Sequence, residues 1–396
     1  MNARPNILWI VTTQWRAQAC GYAGDPNART PALDALARQS VDFSQAVTPH
    51  PFGPWARAAL LTGVRSPENG VRDYFDALPP EARTVAHAMN ERGYTTAFFG
   101  KWGVGRRDQN LPLVGEAAAR VPVPEGERGG FETWVGFEGG FQLNDPWLNG
   151  MKCAGYQSDV VGERAAKWIS DTGNRKPENW FCVVSLEAPH PPYDAPAAGI
   201  VPRAVELAAN VPRGGEAEAK ARRELAGYYA HIEATDRAIG RLVAQAGDNT
   251  IVVFTSVHGD MHGAHGLFRK GWPHEESVRV PLLVRREGFG FGVSSSGLVS
   301  LLDLKRWTVG WAEGKPETNP EPETQPISMP SVVALPWQCD RVWRGVRTAT
   351  RKLVLNADGS PWLFFDLEND PLERNNLAGD PARAGEITEL RKRCRA

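Results

Sequence analysis

Apolar residues along this chain form short continuous runs that are separated by segments with a helical repeat. The runs that predict strands are residues 7–11, 94–99, 181–186 and 251–255. The segments whose apolar positions recur at helical spacing are residues 30–38, 55–62, 84–92 and 220–245. This alternation predicts an α/β fold in which a large, mostly parallel sheet is sandwiched by helices.

The C-terminal part of the chain has a different pattern. Residues 313–325 are rich in Pro, Glu and Thr, which predicts an exposed linker. Short strand-like runs follow around an Asp358-Gly359 turn, and a final helical pattern covers residues 381–395. We therefore predict three parts, namely an α/β domain over residues 1–312, a linker over residues 313–328 and a small C-terminal antiparallel-sheet subdomain over residues 329–396.

Composition and charge exclude several classes of protein. Charged residues make up 23% of the chain and the formal net charge is -1, which argues against a nucleic-acid or membrane-surface partner. No apolar run approaches the ~20 residues of a membrane span, and the first run is too short for a signal sequence. We therefore expect a cytoplasmic protein. The five cysteines are widely spaced and form no CxxC pair, so a disulfide framework or structural zinc site is not expected.

Two groups of polar residues are candidates for chemistry. Thr13 and Gln14 follow the first predicted strand, and ligands of open α/β sheets bind at the carboxyl ends of strands. A second group near Asp260 contains three histidines, His258, His262 and His265. These residues could form a zinc site, although their spacing matches no standard zinc motif.

Several segments in order along the chain resemble the type I sulfatases of the alkaline phosphatase superfamily. The matching segments are residues 4–16, 57–63, 93–102, 188–193, 256–277 and 365–377. The resemblance implies an α/β fold and hydrolysis of sulfate esters. Members of that family use a divalent metal, usually calcium, and a formylglycine nucleophile made from Cys or Ser in a C/S-x-P-x-R motif. The metal and nearby cations shield the negative ester from the attacking oxygen.

The residues that carry this chemistry are replaced in the present chain. By the resemblance, a metal-binding Asp falls on Thr13, the nucleophile falls on Gly53 and a second metal carboxylate falls on Val257. Neither Cys nor Ser occurs between Pro49 and Arg57. A hard cation such as calcium needs about six to eight oxygen ligands, so Thr13, Gln14, Val257 and His258 form a degenerate metal site. The histidine that usually follows Lys-Trp falls on Gly103.

The polar residues that remain at matching positions predict an anion-binding or substrate-binding site. They are Arg57, Lys101, His190, His258 and Lys270. Arg57 could contact an anion, or it could instead have a structural role in which it stabilises a loop by pairing with backbone carbonyls or an acid. Thr13 has an alternative as a weak hydroxyl ligand of a metal, and Glu275-Glu276 is interpreted as a helix-start pair or a solvated face.

The leading hypothesis is a catalytically impaired sulfatase-like protein that keeps an anion-binding cleft. It needs no cofactor and binds a sulfated or phosphorylated small molecule or sugar. One alternative is an active sulfate-ester or phosphonate-ester hydrolase with rearranged ligands, which would need calcium or magnesium. A second alternative is a non-catalytic interaction protein.

Overall fold

The computed structural model describes residues 4–173, 179–286, 292–315 and 322–394. The strands are β1 (Asn6–Thr12), β2 (Val41–Val47), β3 (Thr95–Lys101), β4 (Thr133–Phe137), β5 (Trp147–Leu148), β6 (Met151–Lys152), β7 (Trp180–Ser185), β8 (Thr250–Ser256), β9 (Leu282–Arg285), β10 (Val293–Ser300), β11 (Gln325–Met329), β12 (Trp343–Arg347), β13 (Arg351–Asn356) and β14 (Pro361–Asp366). The α-helices are α1 (Pro31–Ala37), α2 (Gly53–Thr62), α3 (Val85–Asn90), α4 (Glu116–Ala119), α5 (Gln157–Gly173), α6 (Glu216–Gln245), α7 (Glu275–Val278), α8 (Asp303–Ala312) and α9 (Ala384–Arg393).

An eight-stranded sheet in the order β10-β2-β9-β8-β1-β7-β3-β4 forms the centre of the molecule. Among the described strands, β9 runs antiparallel to β2 and β8, and the remaining neighbours are parallel. The predicted α/β class with a mostly parallel sheet is therefore confirmed. Within that part of the chain, no helix is long and apolar enough to cross a membrane.

Helices cover both faces of the sheet because its central strands are apolar on both sides. Along β1, Ile7, Trp9 and Val11 join the core beneath α2, α3 and α8, whereas Leu8 and Ile10 join the core beneath α1, α5 and α6. Successive side chains of a strand point to opposite faces, so one continuous apolar run supplies both cores.

The sequence pattern identified the central strands β8-β1-β7-β3 and missed the outer strands. Strand β10 reads Val-Ser-Ser-Ser-Gly-Leu-Val-Ser and lies at a sheet edge, where five of its eight residues remain partly or fully exposed. An edge strand needs no continuous apolar run, and its composition therefore resembles that of a loop.

The C-terminal sheet has the antiparallel order β11-β12-β13-β14, which confirms the predicted small subdomain sheet. One face packs on the main core through Ile327, Met329 and Trp343, and the other packs under α9. Strand β11 begins within the segment predicted as linker, and residues 316–321 of that segment lie outside the described residues. The sheet is thus part of the structure that supports the neighbouring loops.

Candidate functional site

The carboxyl ends of the adjacent strands β8, β1, β7 and β3 meet at a cavity of about 820 Å³. All five predicted anion-binding residues line this cavity, namely Arg57, Lys101, His190, His258 and Lys270. Thr13 and Gly53 line it as well, whereas Gln14 lies behind the wall and Val257 lies in the apolar core. The structure therefore brings the sequence-predicted residues together at the edge where α/β sheets bind ligands.

Arg57 holds the ends of three strands together at the floor of the cavity. Its Nη1 atom donates hydrogen bonds to Ser185 Oγ (2.7 Å) and to the carbonyl oxygen of Lys101 (3.0 Å), and its Nη2 atom donates to Thr13 Oγ1 (2.7 Å). Burial lowers the pKa of Arg57 to about 10, so the side chain remains charged at neutral pH. Its Nε atom has no hydrogen-bond partner among the described residues. Arg57 is thus a structural pin that still offers charge to the cavity.

The hydroxyl group of Thr13 makes two hydrogen bonds within the protein. It accepts the hydrogen bond from Arg57 and donates one to the carbonyl oxygen of Leu186, at 3.2 Å. The oxygen therefore faces a guanidinium, and the alternative of Thr13 as a metal ligand finds no support in this geometry.

Lys270 contacts the side-chain oxygen of Gln14, which is one of the possible metal ligands predicted from the sequence. Its Nζ atom lies 2.5 Å from Gln14 Oε1 and 2.9 Å from His190 Nε2. Since the His190 Nδ1 atom lies 2.8 Å from the carbonyl oxygen of Pro191, Nδ1 carries the proton and Nε2 accepts from Lys270. Burial, followed by repulsion from Lys101, lowers the pKa of Lys270. The amino group of Lys270 thus occupies the space that a cation beside Gln14 Oε1 would need.

The amide nitrogen of Gln14 is also hydrogen-bonded within the protein. Its Nε2 atom donates to the Asp260 carboxylate and to the hydroxyl of Tyr193 (3.1 Å), which itself donates to Asp260 (2.7 Å). Burial opposes ionisation of Asp260, but His262, Arg269 and these hydrogen bonds prevail and hold its pKa below the usual range. Asp260 is therefore a charged acceptor that anchors Gln14.

His258 presents an unused nitrogen to the cavity. Its Nδ1 atom lies 2.9 Å from the carbonyl oxygen of Gly259, so Nδ1 donates and Nε2 carries a lone pair in the neutral ring. The Nε2 atom is buried and has no hydrogen-bond partner in the described part of the chain. Burial, with Lys270 next, lowers the pKa of this ring. A ligand can therefore complete the hydrogen bonding of His258.

Sequence reasoning missed the acidic residues Glu187 and Glu138 at the site, and it named Asp260 only beside the histidines of the zinc alternative. Lys101 Nζ pairs with Glu187 at 2.7 Å, Arg107 pairs with Glu138 at 2.7 Å, and Asp260 anchors Gln14. Glu187 and Glu138 stand one or two residues beyond the ends of β7 and β4, so the same carboxyl-end argument that selected Thr13 could have found them. Each acid is bonded to a protein donor.

These donors do not fit a divalent cation. Gln14 Oε1 is bonded to the Lys270 amino group, the Thr13 hydroxyl to the Arg57 guanidinium, and Val257 is fully buried among apolar side chains. Among the described residues, no group of three or more His, Cys, Asp or Glu side chains could hold a metal ion. The zinc alternative at His258, His262 and His265 therefore finds no support in the geometry either.

Two glycines shape the floor of the cavity in opposite ways. A Cβ atom built on Gly53, at the start of α2, meets no atom within 4 Å. A Cβ atom on Gly103 would lie 2.7 Å from Arg57 Cδ, because Arg57 fills that space. The space at Gly53, onto which the resemblance puts the nucleophile, is thus open, whereas the space beside Gly103 is filled by the Arg57 side chain.

Comparison with known proteins agrees with this geometry. Residues 5–313 match the Sulfatase family. The chain is 33% identical over 412 residues to the ulvan-active sulfatase of Formosa agariphila, covering 96% of this chain and 78% of that protein.

Solved structures share the fold. A structure in complex with its substrate D-glucosamine-2-N,6-O-disulfate superposes with a TM-score of 0.81 at 21% identity, covering 99% of this chain and 97% of the other. The phosphonate monoester hydrolase of Agrobacterium radiobacter superposes with a TM-score of 0.77 at 20% identity, covering 98% and 94%. These identities are low, and the two structures therefore support the fold alone.

Proposed function

Because the chain belongs to the sulfatase family, we propose that it binds the sulfate or phosphate end of a small molecule or sugar without hydrolysing the ester. One observation carries this proposal: the cations Arg57, Lys101 and Lys270 line the cavity in which the nucleophile position is Gly53. The 33% identical relative, an ulvan-active sulfatase, supports a sulfated ligand.

The charges of the cavity favour an anion. Glu187 compensates Lys101, whereas the side chain of Arg57 bonds only to neutral groups, so among the described residues the positive charge of Arg57 has no direct anionic partner. Burial lowers the pKa of both lysines, with repulsion from Arg57 adding to the effect at Lys101 and repulsion from Lys101 adding to it at Lys270, and a bound anion would relieve this repulsion. Charge-assisted hydrogen bonds to a sulfate are stronger than those between neutral groups.

Ester hydrolysis lacks its required groups in this site. Gly53 offers no attacking atom, and the oxygens of Thr13 and Gln14 are bonded to protein cations. The ester would therefore bind without a metal to polarise it and without a nucleophile in line with it.

The test is calorimetric binding of inorganic sulfate to the purified protein, once with a chelator and once with calcium. We expect the same affinity in both, because the cations belong to the protein. Lys270→Met should weaken sulfate binding by about tenfold or more, as expected for loss of a charged hydrogen bond. Lys167→Met is the control, because Lys167 is an exposed lysine paired with Asp171 outside the cavity.

Two outcomes would contradict the proposal. Turnover of 4-nitrophenyl sulfate that a chelator abolishes would favour the active, metal-dependent hydrolase. Absence of sulfate and phosphate binding in the unmodified protein would favour the non-catalytic interaction protein.

A further inference from the structure

Large apolar side chains line the outer part of the same cavity and remain exposed. They are Leu111, Val114, Val121 and Trp337, of which Val114 is 60% and Trp337 is 52% exposed. Soluble proteins seldom leave several such side chains together in a concave surface unless a ligand or partner covers them. The cavity therefore has a charged floor and an apolar outer wall.

Trp337 is held at this wall at some conformational cost. Its backbone φ is +69°, in the left-handed region that bulky residues rarely adopt. Its ring meets the ring of Phe268 edge-on at 5.5 Å, and Lys220 Nζ lies 4.9 Å from its centre. The contacts of Trp337 thus fix its ring in place while leaving half of the side chain uncovered.

Phe141 joins the apolar wall to the charged floor. Its backbone φ is +56°, so a second aromatic residue of the cavity has an unfavourable left-handed conformation. Its ring stacks on His190 with a centroid distance of 4.3 Å and an angle of 8°, and Lys101 Nζ lies 4.8 Å from its centre. Phe141 is nevertheless only partly buried, so the uncovered part of this aromatic side chain lies in the cavity beside the anion-binding groups.

We propose that the cavity binds a sulfate or phosphate ester of an aromatic or similarly apolar alcohol, a proposal that rests on the anion-binding function given above. The anionic group lies at Arg57, Lys101 and Lys270, and the organic body lies between Phe141 and the wall that contains Trp337. Polar side chains such as Arg106 and Asp194 also line the cavity, but sugar hydroxyls placed against the wall of Leu111, Val114, Val121 and Trp337 would lose hydrogen bonds to water and gain few there.

The probes are inorganic sulfate, 4-nitrophenyl sulfate and glucose 6-sulfate, titrated into the full chain by calorimetry. We expect 4-nitrophenyl sulfate to bind at least about tenfold more tightly than inorganic sulfate, because apolar area is buried in addition. Glucose 6-sulfate should gain no more than about threefold over inorganic sulfate, since its hydroxyls find few partners on this wall.

Trp337→Ala should remove most of the advantage of 4-nitrophenyl sulfate and leave the affinity for inorganic sulfate unchanged. Trp362→Ala is a matched control, because a basic side chain also lies over the Trp362 ring, in this case Arg341 at 4.6 Å, but Trp362 lies outside the cavity. Val114→Ser is a second variant at an exposed position, and Val201→Ser is its control at an exposed valine away from the cavity.

Different binding results would contradict the apolar ligand and the anion-binding function. Binding of inorganic sulfate with equal or weaker binding of 4-nitrophenyl sulfate would overturn the apolar ligand alone. Glucose 6-sulfate binding as tightly as 4-nitrophenyl sulfate would also overturn it. Absence of binding of all three sulfates would overturn the anion-binding function, and the apolar ligand with it.

Discussion

At the scale of single residues, Arg57 and Gly103 depend on each other. Gly103 has a φ of +69°, and a Cβ atom there would lie 2.7 Å from Arg57 Cδ and 2.9 Å from Arg57 Nε. The Arg57 side chain cannot swing away freely, because its hydrogen bonds join Thr13, Ser185 and Lys101. A side chain at position 103 must therefore displace the residue that holds the floor of the cavity together.

We predict that Gly103→Ala weakens both the fold and the binding of sulfate. The left-handed backbone costs an alanine about 1 kcal/mol, and the forced shift of Arg57 adds a loss of buried hydrogen bonds of about 1–3 kcal/mol. Chemical denaturation and calorimetry with sulfate would measure the two effects.

Gly93→Ala is the control for the cost of placing an alanine in a left-handed backbone conformation. Gly93 has a similar φ of +74°, but a Cβ atom there meets nothing within 4 Å. Gly93→Ala should thus cost only about 1 kcal/mol and leave sulfate binding intact. Equal effects of the two substitutions would show that Arg57 does not occupy the space at Gly103.

The sequence predicted which residues line the cavity, but it did not predict which residues they bond to. The motif order placed Arg57, Lys101, His190, His258 and Lys270 at one site, and all of them line one cavity. The pairing of Lys101 with Glu187 joins residues 86 positions apart, and the bond between Lys270 and Gln14 spans 256 positions. No local pattern encodes such contacts, because the crossing order of the strands creates them.

At the scale of elements, buried ion pairs join α7 to the C-terminal sheet. Glu275, the first residue of α7, accepts from Arg347 Nε (3.1 Å) of β12 and from Lys352 Nζ (2.9 Å) of β13. Glu373 pairs with Lys352 at 2.5 Å and accepts from the backbone N–H of Glu275 at 2.7 Å. The interpretation of Glu275 as a solvated residue is therefore wrong, although it does begin a helix.

We predict that Glu275→Gln destabilises the protein by about 3–5 kcal/mol. The substitution leaves Arg347 and Lys352 buried with less negative charge nearby, and uncompensated buried charges of this kind are costly. The midpoint of denaturant unfolding would measure the loss.

Glu389→Gln is the control for this prediction. Glu389 pairs with Lys392 at 2.5 Å on the exposed side of α9, where loss of an ion pair costs about 0–1 kcal/mol. A Glu275→Gln variant as stable as Glu389→Gln would show that the buried pairs do not hold α7 to the sheet.

At the scale of the whole molecule, the main domain and the C-terminal sheet also share a buried histidine. His50 Nε2 accepts from the backbone N–H of Ser66 at 3.0 Å, and Nδ1 lies 3.2 Å from the carbonyl oxygen of Ser328 in β11. Burial lowers the pKa of His50 to about 4. The folded state thus favours the neutral ring, and the contribution of His50 to stability is complete above about pH 6.5 and lost as the pH falls toward 4.

We predict that the cost of His50→Gln depends on pH in the corresponding direction. Because the unmodified protein loses the His50 contribution on acidification, the stability difference between it and the variant should shrink by about 2 kcal/mol between about pH 7.5 and about pH 5. Denaturant titrations of both proteins at each pH would measure this difference.

The prediction concerns the difference in unfolding free energy between the unmodified protein and His50→Gln, because Glu373 changes the stability of both proteins with pH in the opposite direction to His50. Burial raises the pKa of Glu373 to about 7, so the stability that Glu373 contributes increases as the pH falls. His87→Gln provides a control at a partly exposed histidine, where a smaller change with pH is expected. A cost of His50→Gln that is constant with pH would contradict a neutral, buried ring.

The global architecture was the most predictable level. Continuous apolar runs revealed β1, β3, β7 and β8, and these are the strands whose ends build the site. The edge strand β10 escaped prediction because its polar residues face solvent. The boundary between domain and linker remains a prediction, because part of that segment lies outside the described residues.

The open space at Gly53 makes this position suitable for a chemical label. A thiol introduced by Gly53→Cys would stand at the first position of α2, where the helix terminus favours the reactive thiolate. An environment-sensitive dye attached there would lie inside the cavity, so its emission would report directly when a ligand enters and leaves.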